Sequence, residues 1–135
     1  MIIVLDASAA VEIALQRQCS SSFREILRNA DLVIAPDTFP SEITNVFWKY
    51  ASYAGMPIDQ CEKGVDYSID LIDDYIETKS MCREVFSESI RSIHAAYDLF
   101  YLVIARRYNA MILSKDQKMR EIAKGLQIRI ANEAL

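Results

Sequence analysis

Short aliphatic runs and longer amphipathic stretches alternate along the chain. Residues 2–5 are continuously apolar, of strand length, and stop at Asp6. Residues 32–35, closed by Pro36, and 110–113 repeat this form, and 126–130 is expected to be the last strand. Continuous runs of this kind fit strands covered on both faces. Between them, helices are expected over 7–16, over 20–28 behind capping serines, over 59–77, around Val85 to Ile93, over 99–105 and over 116–124, where Gly125 ends the last one. One more helix starts near Asp37 or Thr38, takes Pro40 in its first turn, and stops at Gly55-Met56-Pro57.

The faces of these helices differ. Ile43, Val46, Phe47, Tyr50 and Ala54 recur at helical spacing, and Glu42, Asn45 and Lys49 fall on another stripe of the same helix. Over 59–77, Val65, Ile69, Ile72 and Ile76 are expected inward, with Asp66, Asp70, Asp73, Asp74 and Glu77 outward. Residues 99–105 are apolar on every side, which predicts a helix buried centrally. Strands alternating with helices imply an α/β fold, with a parallel sheet covered on both faces.

Composition narrows this picture. With 135 residues, 52% of them hydrophobic, the chain is expected to form one domain over 1–135 with one sizeable core. Three glycines and three prolines leave little room for long loops. The first apolar run is too short for a leader and nothing is long enough to cross a bilayer, so a soluble, cytoplasmic protein is expected. Cys19, Cys61 and Cys82 are odd in number and widely spaced, which disfavours a zinc site or a disulfide framework. The single histidine, His94, stands near a helix end and reads as structural or exposed rather than catalytic. Among the aromatics, Tyr50 and Tyr101 are expected in the core, and Trp48 and Tyr53 are expected to be more open.

The net charge of −4 is unusual for a nucleic-acid binder, but the charges are unevenly placed. From Arg106 onward there are seven basic residues, opposed only by Asp116, Glu121 and Glu133. A solvated helix face is the ordinary explanation, and contact with phosphates is the alternative; Arg106, Lys115 and Lys118 are the candidates for the latter.

Four carboxylates fall at informative places. Asp6 ends the first strand and Asp116 follows the third, and in open α/β sheets ligands bind beyond the carboxyl ends of the strands. Glu42 lies early in a helix that follows another strand, and Asp98 opens the apolar helix. Singly, each is also an ordinary cap or a first-turn acid favoured by the helix dipole. Together they fall where a doubly wound fold would bring them to one edge. Such a cluster is relieved by a divalent cation, and oxygen ligands without His or Cys select magnesium or manganese. Ions of that kind suit phosphodiester hydrolysis.

The segments Val4-Leu5-Asp6-Ala7-Ser8, Pro40-Ser41-Glu42-Ile43-Thr44-Asn45-Val46, Tyr97-Asp98-Leu99 onward to Ala105, and Ile112-Leu113-Ser114-Lys115-Asp116, in that order, resemble PIN-domain ribonucleases, especially the VapC-like toxins of toxin–antitoxin pairs. The resemblance implies a three-layer α/β/α sandwich around a mainly parallel sheet of four or five short strands. It implies a metal-dependent endoribonuclease with Asp6, Glu42, Asp98 and Asp116 as the acidic residues, Ser8 and Ser114 as hydroxyls beside the metal, and Asn45 as a polar neighbour. It also implies homodimers and a small antitoxin partner. Ser114 stands where threonine is more usual, which keeps the hydroxyl, and Leu99 stands where alanine is common.

On this reading, Asp6, Asp98 and Asp116 hold Mg2+ or Mn2+, and Glu42 completes the shell or orients the attacking water. Haloacid-dehalogenase-type phosphatases want an aspartate where Ser8 stands, and receiver domains want paired acids before the acceptor, so neither pattern fits. A housekeeping RNA-processing nuclease and a catalytically silent interaction module on the same fold remain as alternatives.

Overall fold

The computed structural model describes residues 1–133. Four strands, β1 (Ile2–Leu5), β2 (Leu32–Pro36), β3 (Asp74–Ile76) and β4 (Met111–Leu113), form one parallel sheet in the order β3-β2-β1-β4. Seven helices flank it among the described residues: α1 (Ala7–Ala14), α2 (Ser20–Arg28), α3 (Phe39–Tyr53), α4 (Ile58–Asp70), α5 (Cys82–Ser92), α6 (Ala96–Arg107) and α7 (Gln117–Gly125). The expected α/β sandwich is therefore present.

The apolar runs become the centre of the sheet because they have no polar face to turn to water. Ile3, Val4 and Leu5 are wholly buried, and register pairs Ile3 with Val33 on one side and with Met111 on the other. Helix α6 packs across β1, β2 and β4, which explains its even apolarity; Leu99, Tyr101, Leu102, Val103, Ile104 and Ala105 are all buried. Helices α3 and α4 pack closely at Gly64, where an added Cβ would lie 2.4 Å from Cε1 of the buried Phe47 ring. Gly55 turns the chain out of α3 with φ +67°, a conformation that few other residues adopt freely.

Two expected elements are corrected. The helix expected over 59–77 ends at Asp70, and the chain then forms β3 on the outer edge of β2. The 3.6-residue spacing runs through Ile69, Ile72 and Ile76, but Ile72 and Ile76 reach the core from the loop after α4 and from β3. The register is held by Asp73, whose carboxylate accepts from the Val33 amide at 2.8 Å while its own amide donates to the Val33 carbonyl at 2.8 Å. The strand expected over 126–130 shrinks to a single parallel bridge between Ile112 and Ile130. The segment after α7 first turns through Gln127 at φ +61°, which leaves only its end able to pair with β4.

Candidate active site

The chain runs from β1 outward to β2 and β3 on one side and then crosses back to β4 on the other side of β1. The crevice beyond the carboxyl ends of β1 and β4 is the switch point where such sheets bind ligands. Asp6 and Asp116 stand on its two sides, following β1 and β4 respectively. The chain beyond β2 enters α3 and brings up Glu42, and α6, lying across the sheet, contributes Asp98 from its first turn.

Asp6 is the best-built of these residues. Its side chain caps α1, with Oδ1 accepting the Ala9 amide at 3.0 Å and the Ser8 hydroxyl at 2.7 Å. Oδ2 accepts the Ser114 hydroxyl at 2.6 Å. Both serine protons are therefore directed at Asp6, and the serine oxygens accept in turn from the next loop. The Ser8 oxygen takes the Lys115 amide at 2.9 Å, and the Ser114 oxygen takes the Asp116 amide at 2.9 Å. The two hydroxyls thus hold Asp6 and position the turn that carries Asp116. Asp116 caps α7 through Oδ1, which accepts from the Met119 amide at 3.1 Å.

Glu42 is half-buried. Oε1 accepts from the Thr38 hydroxyl at 3.3 Å, and Oε2 accepts from the Tyr101 hydroxyl at 3.2 Å. Asp98 faces the His94 ring, with Nε2 2.6 Å from Oδ2.

The electrostatics bind these acids into one group. Burial pushes the Asp6 carboxyl up to about 6; its three hydrogen bonds oppose this, and the charge of Asp116 adds to it. Glu42 is also raised, first by burial, against the hydroxyls of Tyr101 and Thr38, and further by the charges of Asp98 and Asp6. The Tyr101 hydroxyl is held well above its usual range by burial and by the surrounding carboxylates, so it acts as a donor. Asp6 and Glu42, raised in part by neighbouring carboxylates, belong to the all-oxygen kind of donor set that a hard cation relieves. Among the described residues, no three His, Cys, Asp or Glu side chains are close enough to enclose an ion by themselves. Several of their oxygens are turned instead to Ser8, Ser114, Tyr101 and His94.

A PIN-domain family model matches residues 3–125, which takes in all four acids. The chain belongs to the PIN-domain family. PIN domains are generally nucleases that act on RNA, and they typically use divalent metal ions. The fold is similar to that in the crystal structure of PAE2754 from Pyrobaculum aerophilum, with a TM-score of 0.72 at 16% identity, covering 93% of this chain and 81% of that one. Among curated proteins, none matches the chain.

Within this PIN domain, some sequence expectations fall outside the cluster. Arg106 lies at the far end of α6 from Asp98, and its guanidinium donates to the buried Glu88 at 2.7 Å, with Glu84 at 3.5 Å. Those carboxylates favour its charged form and engage both of its terminal nitrogens. Lys115 and Lys118 are exposed beside the Asp116 turn, and the Lys115 ammonium lies 3.6 Å from Cys19 Sγ. Asn45 is exposed one turn beyond Glu42.

Two PIN-domain residues next to the acids were placed elsewhere by the sequence reading. Tyr101 is in the core, as expected, but its hydroxyl emerges at Glu42. Its spacing of three from Asp98, which puts both on one side of a helix, was the available signal. His94 is mostly buried against Asp98. Its offset of four from that acid was the corresponding hint. All three cysteines are free, with Cys61 buried and Cys82 exposed. No helix of the described residues is long and apolar enough to cross a membrane.

Proposed function

We propose that this chain is a metal-dependent endoribonuclease that hydrolyses RNA phosphodiester bonds, and that it serves as the toxin of a toxin–antitoxin pair. The observation that carries the nuclease reading is the placement of Asp6 and Asp116 directly after β1 and β4, with Glu42 and Asp98 in the first turns of α3 and α6, inside the PIN-domain match over residues 3–125. These four acids would hold Mg2+ or Mn2+. When bound, such an ion activates a water and stabilises the leaving oxygen of a phosphodiester. Asp6 is the fixed member, since Ser8, Ser114 and the Ala9 amide leave it no freedom to turn. Glu42, raised by burial and held by the Tyr101 hydroxyl, is suited to orient the attacking water and accept its proton. Lys115 and Lys118 are exposed beside the Asp116 turn and are the cations best placed for the RNA backbone, while Arg106 is engaged by Glu84 and Glu88.

Two exposed apolar patches support the partner part of this reading. Phe86, Ile90, Ile93 and Tyr97 stand 66, 65, 90 and 75% exposed along α5 and the start of α6. Side chains of this size expose on the order of 600 Å² together, a large share of the ~800 Å² per partner that a stable interface buries. A second copy of the chain would cover that stripe. Trp48 and Tyr53 pack edge to face on the exposed side of α3, beside a shallow cleft formed by Val46, Lys49, Tyr50 and Ala54. A small antitoxin would seat there.

The test is cleavage of a mixed RNA pool by the antitoxin-free protein. Cleavage with Mg2+ that stops with EDTA and returns on adding Mg2+ is expected. Cleavage that continues in EDTA would overturn the metal-dependent reading.

A further inference from the structure

We propose that His94 is a positioning residue for Asp98, and that the strained turn before it exists to deliver the imidazole. This rests on the reading of Asp98 as a metal ligand.

The turn is unusual in its chemistry. Helix α5 stops at Ser92, and Ile93 caps it in the left-handed region, at φ 51° and ψ 51°. That position normally takes glycine, and a β-branched residue there is strained. Burial does not compensate the strain, because the Ile93 side chain is 90% exposed. What the turn secures is the next residue. The His94 amide donates to the Ser89 carbonyl at 3.2 Å, and the Ser89 hydroxyl donates to the His94 carbonyl. The His94 backbone is thus clamped from both sides by one serine.

From that clamp, the ring points at the site. The His94 side chain is 19% exposed, and its Nε2 lies 2.6 Å from Asp98 Oδ2. His94 precedes α6, which begins at Ala96, so the contact is made by the turn and not by regular helix geometry. A cation ligand must be ionised, so the carboxylate accepts and Nε2 donates. With Oδ2 held, Oδ1 has one direction left, and Asp98 has less rotamer freedom to lose when an ion binds. Partners of this kind orient metal-binding carboxylates, and their loss typically weakens metal binding by ~10–100-fold.

The experiment is calorimetric titration of Mn2+ into RNA-free wild type, His94→Ala, His94→Gln and Asp98→Asn, each checked for its fold by circular dichroism. In His94→Ala, Mn2+ affinity is expected to fall by ~10–100-fold. In His94→Gln, whose amide donates from a similar reach, most of the affinity is expected to return. A His94→Ala protein that binds Mn2+ like wild type, beside an Asp98→Asn protein that does not, would overturn the role of His94 alone. Equal losses in His94→Ala and His94→Gln would also overturn it. Wild type that binds no Mn2+, or Asp98→Asn that binds it normally, would overturn the metal-site reading itself.

Discussion

The Tyr101 hydroxyl stands 3.2 Å from Oε2 of Glu42, although the two residues lie 59 positions apart. The phenol ring is core and its oxygen is site, so one side chain ties the packing of α6 to the geometry of α3. Tyr101→Phe keeps the ring and removes the donor. It is expected to destabilise the fold by about 1 kcal/mol and to slow RNA cleavage by roughly tenfold with little change in KM. Urea unfolding and steady-state kinetics check the two effects, and an unchanged kcat would detach Tyr101 from the site.

Asp6 makes the metal-free protein sensitive to pH. Its carboxyl is raised from an ordinary 3.8 to about 6 by burial. Between those values the folded state keeps a proton that the unfolded chain has released, so stability is greatest below the lower value. It is lost as pH rises through the upper one. The effect corresponds to about 3 kcal/mol. Asp6→Asn retains an N-cap and removes the titration, so its stability, measured in EDTA at pH 4 and pH 7, is expected to fall by about 2 kcal/mol less than wild type's, since pH 4 already lies above the ordinary value. Parallel losses in the two proteins would contradict this account of Asp6.

Gly64 and Gly125 should respond to alanine with opposite signs. A Cβ at Gly64 meets the buried Phe47 ring at 2.4 Å, whereas at Gly125 it meets nothing within 4 Å. Gly64→Ala is expected to cost about 1–3 kcal/mol through overpacking. Gly125→Ala is expected to stabilise α7 by about 0.5 kcal/mol through the unfolded chain. Denaturant midpoints of the two variants against wild type give the comparison.

The exposed stripe on α5 sets a further expectation. Ile90→Glu places a charge in the middle of Phe86, Ile90, Ile93 and Tyr97, a surface that carries no other acid along that stripe. Light scattering is expected to find a dimer for wild type and a monomer for Ile90→Glu. A wild type that is already monomeric at high concentration would remove the stripe as a self-interface.

How far the sequence carried this picture depended on whether a signal was local. The strand at 2–5 and the buried helix around 99–105 were legible because burial on all sides leaves a continuous apolar run. Asp6, Glu42, Asp98 and Asp116 were legible because each follows a strand or opens a helix. Strand β3 was not, since Ile69, Ile72 and Ile76 keep a helical spacing and the pairing of Asp73 with Val33 acts across 40 residues. Arg106 looked available because Glu88, 18 positions earlier, is no neighbour in sequence. His94 and Tyr101 stand four and three positions from Asp98, but which atoms they turn to Asp98 and Glu42 shows only in the folded chain.

The most direct test of the central claim is RNA cleavage in Mg2+ by wild type and by Asp98→Asn, with the fold of both confirmed. Cleavage by wild type and its loss in Asp98→Asn is the expected result. Equal cleavage by both proteins would contradict the assignment of these acids as the active site.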